Sequence, residues 1–298
     1  MKLIAPYTIT DATLISSNVP ENDFPVYNSG TTYNLNDQVI VTTGSHKIYK
    51  SLVASNVGNP VTDTTKWSFV SSTNRWKLHD QYVQTQTTNA VSITNSYQMS
   101  GRCNSVAFLN VDANTIEVKV TDPLAGGVVY DKTKNLTSYS GITDWYGYFF
   151  EPIKRDTGAT FLDLPITNNA TIDIIVSAPS GTAKVGGLLL GNFKDLGSTE
   201  VGAKVGIDSF STKTVDAFGN ISIVPRAFRK KGEFTFLLPN SYIDELHIML
   251  TGYRDTPIYY MGDDNIEATK IYGFYKDFSI TIPYPTYSMC SLYVEGLT

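Results

Sequence analysis

Apolar and polar residues alternate along 115–121 (TIEVKVT), 171–177 (TIDIIVS) and 233–237 (EFTFL). A period of two sends one face of a segment into a core and the other into water, which a helix cannot do with the same residues. Composition points the same way, because 19 Tyr and 14 Phe suit a pleated, half-buried surface and only 17% of residues are charged. Turn signals punctuate these runs. Asp122-Pro123 and Gly126-Gly127 bracket a hairpin into Val128-Val129-Tyr130, and Ala178-Pro179-Ser180-Gly181 predicts the end of the preceding strand. One segment carries a helical period: 241–250, with Asn240 or Ser241 as cap, Asp244 and Glu245 in the first turn, and Tyr242, Leu246, Met249, Leu250 and Tyr253 on one side. Gly252 is its expected stop and 256–261 a following strand, so the C-terminal part is expected to be a small α+β addition to a β body.

A chain of 298 residues that is 42% hydrophobic buries a real core, and its length suits two compact units or one large β unit with an appendage. The net charge of −5 provides no broad basic field, so nucleic acid is not expected as a partner. Cys103 and Cys290 are too few and too scattered for a disulfide framework or a zinc cluster, and are expected as free, buried thiols. The first residues lack a leader pattern and no stretch is long and apolar enough to span a bilayer, so a soluble protein without a secretion signal is expected. The Asn-x-Ser/Thr triplets at Asn135, Asn169 and Asn220 are then products of a Thr- and Asn-rich composition.

Residues 1–23 hold no strong period and read as an extended arm. After them, Tyr27, Tyr33, Asp37, Val39, Tyr49-Lys50-Ser51, Pro60 and Trp67 set regularly placed aromatics in two short strands, where each ring carries a large share of a very small core. This order resembles the chitin-binding modules of carbohydrate-binding families 5 and 12, whose pattern runs aromatic, Tyr with Gly-Asp-x-Val, Tyr-Lys-Ala, Pro and Trp. The resemblance covers about residues 26–70 and implies a module core of Tyr33, Tyr49 and Trp67. Where those modules carry exposed stacking rings, this chain has Leu52, Val53 and Ala54, which leaves Tyr27 and Trp76 as candidate surfaces for a sugar ring.

A second resemblance spans nearly the whole chain. It rests on the blocks Ile9-Thr10-Asp11-Ala12, 73–80 (TNRWKLHD), 144–151 (DWYGYFFE), Leu188-Leu189-Leu190-Gly191, Asp216-Ala217-Phe218-Gly219-Asn220 and 292–297 (LYVEGL). In this order they look like a family of tailed-bacteriophage structural proteins encoded among tail genes. The resemblance implies a component of the virion tail (tail tip, baseplate or hub-associated), assembled in the bacterial host cytoplasm with other tail proteins in a homo-oligomeric or symmetric arrangement, with host surface polysaccharide as a further candidate contact. It implies no reaction.

Catalytic readings are weighed against this. A glycosidase needs two carboxylates about 5–10 Å apart, and Asp144 with Glu151, or Asp263 and Asp264 with Glu267, are candidates. Asp144-Trp145 instead reads as the opening of a strand and Gly262-Asp263-Asp264-Asn265 as a turn, which also lacks the spacing of a dedicated calcium loop. His46, His79 and His247 fall in no metal-binding spacing, and His79-Asp80 has no nucleophile elbow to serve. Gly186-Gly187-Leu188-Leu189-Leu190-Gly191 reads as a buried strand, and Arg226, Arg229, Lys230 and Lys231 as a solvated strand end before a turn at Lys231-Gly232. No enzyme, cofactor or metal is expected. Trp145, Tyr146, Tyr148, Phe149 and Phe150 are expected in a strand, where neighbours face opposite sides, so one face meets a second sheet, another subunit or a ligand.

The expectation is therefore a mainly β protein: an arm (1–23), a sugar-binding-module-like β domain (24–72), a β-sandwich (73–192) and a small α+β C-terminal docking region (193–298). Its expected role is structural; a stand-alone carbohydrate-binding protein and, further off, a polysaccharide depolymerase are the alternatives.

Overall fold

The computed structural model describes residues 1–99, 101–138, 142–167 and 169–297. The chain is mainly β, with 51% strand and 9% helix. It divides into two compact units, Tyr7–Leu190, and Met1–Pro6 together with Gly191–Thr298.

In the unit Tyr7–Leu190, a small antiparallel sheet joins Gln38–Val41, Lys47–Ser51 and Trp67–Ser72. Beside it, Thr171–Asp195, as far as Leu190 in this unit, pairs with both Thr87–Gln98 and Thr115–Asp122. Thr115–Asp122 turns back into Gly127–Asn135 as the expected hairpin. The period of two is realised: Ile116, Val118 and Val120 are buried and face the same core as Ile172, Ile174 and Val176. The Ala178-Pro179-Ser180-Gly181 signal does not end its strand. Pairing slips between Ser177 and Thr182, so Pro179 sits in an irregularity where no ladder hydrogen bond is asked of it, and the strand continues. Short strands Thr137–Ser138 and Lys154–Arg155 pair with each other and close an excursion that holds helix α1, Trp145–Phe150.

The unit formed by Met1–Pro6 and Gly191–Thr298 is an antiparallel sheet. From one edge it runs through the end of Thr171–Asp195, then Lys2–Pro6, Ile258–Met261, Lys270–Thr281, Tyr287–Gly296, Phe228–Pro239 and Lys204–Ser209. Helix α2, Ile243–Gly252, follows a 3-10 turn at Asn240–Tyr242 and buries Leu246 and Leu250 among Phe234, Phe236, Ile258 and Leu292. The segment expected as an arm thus contains strands, Lys2–Pro6 and Leu14–Ser17. Lys2–Pro6 is paired on both edges and buries the adjacent Leu3 and Ile4, which point to opposite faces, so it shows no alternation. Gly191 belongs to the same contact: a Cβ there would lie 2.2 Å from the Ala5 carbonyl oxygen.

The basic run also differs from expectation. Lys231-Gly232 is mid-strand, opposite Glu295 and Val294, and a Cβ on Gly232 would lie 2.6 Å from the Phe234 ring. Glycine is there to admit a ring rather than to turn the chain. Arg229 and Lys231 both pair with Asp208, and Arg229 with Glu295 at 2.7 Å.

Candidate functional site

The small sheet brings Tyr27, Tyr33 and Trp67 into one cluster. Trp67 is edge-on to Tyr33 at 5.3 Å and to Tyr27 at 5.8 Å, and Val39, Tyr49 and Val61 complete the core. The Asn59 carbonyl accepts from both the Tyr27 hydroxyl (2.8 Å) and Trp67 Nε1 (3.0 Å). Tyr27, a candidate sugar platform, is therefore half-buried and engaged by ring and hydroxyl alike.

Trp76, the other candidate, sits in a different cluster. Its ring stacks on His46 at 4.1 Å and meets His79 edge-on at 5.5 Å. His46 is buried with Nε2 2.5 Å from Asp11 Oδ1 and Nδ1 2.9 Å from Glu21 Oε1. Both ring nitrogens of His46 are thus engaged by carboxylate oxygens. Glu21 also accepts from Thr73 Oγ1 at 2.8 Å, with Arg75 Nη1 at 3.8 Å, and the Asp23 carboxylate accepts from the Asn74 backbone. Glu21 thereby ties His46, next to the Lys47 end of the small sheet, to the turn at 73–76, while Asp11 holds His46 and Asp23 holds the turn. This arrangement anchors the module, and it places His46 on one face of the Trp76 ring.

The candidate carboxylate pairs are engaged in local structure. Asp144 caps α1 through Oδ1, which accepts from Gly147 N at 2.7 Å, and Glu151 stands 3.8 Å from Lys154. Asp263 Oδ1 accepts from Asn265 N at 2.7 Å in a turn, and Asp264 is bonded to Lys2. Asp263 and Asp264 also line a cavity of about 720 Å³, whose other wall is Leu196, Leu238, Tyr242, Leu246 and Met249. Among the described residues no group of three or more His, Cys, Asp or Glu is placed to hold a metal ion. Both cysteines are buried and neither is in a disulfide, and burial pushes the Cys290 thiol up to about 11.

Two exposed apolar surfaces stand out. The first corrects the strand expected at 144–151. The segment is helical, with ring pairs at Trp145 with Phe149 (6.2 Å, stacked) and Tyr146 with Phe150 (4.9 Å), the i,i+4 spacing of one helix face. Trp145, Tyr146, Tyr148, Phe149 and Phe150 are 52–77% exposed. Signals for this helix stand in the sequence. Asp144 is a strong N-cap, and Glu151 precedes Pro152, which drives it to the extended ψ of 145° found at the C-cap.

The second surface was missed by sequence reasoning. Lys204–Ser209 and Phe228–Pro239 continue as a ribbon, Thr212–Val215 against Ile221–Val224, turning at Asp216–Asn220 with Gly219 at φ 83°. Every residue from 212 to 228 is exposed. The register puts Val215 opposite Ile221 and Lys213 opposite Ile223, so Val215, Ile221 and Ile223 share a face, and Phe218 stands 91% exposed in the turn. From Lys204 to Val215 the ribbon runs about 40 Å at 3.4 Å per residue.

The chain matches no family model, no curated protein sequence and no solved structure.

Proposed function

We propose that the protein is a non-enzymatic structural component of a bacteriophage tail, at the tail tip, baseplate or hub, which assembles with copies of itself and with other tail proteins. The 212–224 ribbon carries this reading. Among the described residues the ribbon pairs with no third strand, and a two-stranded ribbon alone is marginal in water, yet this one offers Val215, Ile221 and Ile223 on a single exposed face. Such a face costs solubility unless a neighbour covers it, and an arm laid on an adjacent subunit does so. The sequence blocks that resemble tail proteins supply the context, and the tip block Asp216-Ala217-Phe218-Gly219-Asn220 is one of them. In this reading 24–72 is a sugar-binding-module-like spacer, 73–192 a β-sandwich and 193–298 the docking region.

The test changes the ribbon alone. Val215→Asp with Ile223→Asp leaves both cores untouched, and the variant is expected to stay monomeric at concentrations where the parent associates and to be missing from purified particles by mass spectrometry. A parent chain that is strictly monomeric at high concentration and absent from particles overturns the reading.

Glycan contact is expected to be weak per subunit and to gain strength from many copies in one particle. With Tyr27 packed on Trp67 and Trp76 stacked on His46, a pull-down of the full chain on chitin or cellulose should retain no more protein than an unrelated control. Strong retention that Tyr27→Ala abolishes would favour the stand-alone carbohydrate-binding alternative.

A further inference from the structure

Helix α1 departs from ordinary surface chemistry in a way the ribbon does not explain. At 100° per residue, Tyr148, Trp145, Phe149, Tyr146 and Phe150 fill a continuous arc of about 200°, and Asp144, Gly147 and Glu151 fill the remainder. The Asp144 and Glu151 carboxylates both lie against the Gly147 side, at 3.2 and 3.5 Å from where its Cβ would stand. Beyond Pro152, Ile153 is as exposed as Trp145. The excursion is closed at its base by Thr137 and Ser138 paired with Arg155 and Lys154. From Trp145 to Ile153 the sequence carries one charge, Glu151, and the next two residues are the exposed cations Lys154 and Arg155, held loosely at 3.8 Å from Glu151 and 3.9 Å from Asp112.

We propose that α1 and Ile153 insert into the interfacial layer of a lipid bilayer, with Lys154 and Arg155 at the depth of the lipid phosphates. Three features favour lipid over a protein groove. A partner protein covers one face of a helix, and an arc of about 200° would need a deep socket, whereas fluid lipid surrounds a convex tip at no cost in fit. The ring set is suited to an interface: Trp145 and Tyr146 are amphipathic rings whose indole N–H and hydroxyl can meet headgroups and water, while Phe149, Phe150 and Ile153 take the apolar side. The charges are arranged to match, with rings at the tip and cations at the base facing anionic phosphate. Six residues span about 9 Å, within the depth that interfacial helices reach. This inference does not rest on the tail assignment.

The test is flotation of the full chain with vesicles of phosphatidylcholine, alone and mixed with phosphatidylglycerol, read together with tryptophan emission. The protein is expected to float with both, more strongly with the anionic mixture, and its emission to shift to shorter wavelength. Trp145→Phe should lose the shift, because Trp67 and Trp76 are already packed against rings and Trp145 is the indole that enters the lipid. Trp145→Ser with Phe149→Ser should lower the bound fraction about tenfold or more with an unchanged circular dichroism spectrum, since neither ring is in a core. Failure of the parent to float with either vesicle overturns the proposal, as does equal flotation of the double variant. A soluble oligomer that the double variant breaks, without vesicle binding, assigns α1 to a protein partner and overturns it as well. The assembly reading is judged separately by the ribbon variant.

Discussion

Trp67→Ala is expected to unfold the three-stranded module while the rest of the chain stays folded. The side chain is 2% exposed and contacts Tyr27 and Tyr33 through its ring and Asn59 through Nε1. Truncating a buried aromatic of this kind costs about 3–5 kcal/mol. A segment of this size has about 5 kcal/mol of stability in all, so the loss removes most of it. The remaining core, Tyr33, Val39 and the half-buried Tyr27, Tyr49 and Val61, has no large side chain able to fill the space. Limited proteolysis of the full chain should show rapid cleavage between 28 and 66 with the strands after Thr87 protected. Phe69→Ala is the internal control: Phe69 lies in the same strand but is exposed, and its loss should leave cleavage unchanged. Equal protection of the parent and Trp67→Ala would show that the ring cluster does not hold the module together.

The aromatic spacing that marks this module was legible because a core of so few residues leaves little freedom: the rings must recur where the strands return. The alternating strands at 115–122 and 171–177 were legible for the same reason, since each has one wet face. What escaped were segments whose neighbours, not their own pattern, decide the structure. Lys2–Pro6 is buried by strands on both edges, and Gly232 is a glycine because of the Phe234 ring beside it. Helix α1 escaped because its aromatic composition favours a strand, while the cap at Asp144 and the stop at Glu151-Pro152 act at two positions only and are easily outweighed in a reading by composition. The candidate sugar residues show the limit most clearly. By sequence, Tyr27 and Trp76 are the aromatics left over from a small core, but in the fold Tyr27 packs on that core and Trp76 is held by His46, a partner thirty residues earlier in the chain. Pairings of that kind are set by the fold as a whole.

Acidification is expected to destabilise the unit Tyr7–Leu190 through His79, a residue with no proposed chemistry. Burial holds its imidazole far below the ordinary value, at about 3, with the Leu188 backbone pulling weakly the other way. Asn95 Nδ2 donates to the Tyr97 hydroxyl at 2.8 Å, which leaves that hydroxyl free to give its proton to His79 Nε2 at 3.2 Å, a bond that needs Nε2 unprotonated and so suits a neutral ring. The sign follows. In the unfolded chain His79 takes a proton as pH falls through about 6.5, whereas in the folded chain it resists until about 3, so the unfolded state binds more protons throughout that window. Stability contributed by the neutral ring is fully present above pH 6.5 and is lost progressively toward pH 3, amounting to about 3 kcal/mol by pH 4. Asp80, whose carboxyl burial holds above the usual range, acts in the opposite sense and is common to parent and variant. His79→Gln removes the titrating ring and keeps a side chain able to accept from Tyr97. Urea unfolding at pH 7 and pH 4 should show a smaller acid loss in His79→Gln than in the parent, even if the variant is less stable at neutral pH. Identical acid losses in the two proteins would mean that the ring takes up its proton in the folded state at no unusual cost, and that Trp76, Tyr97 and Leu188 do not shield it.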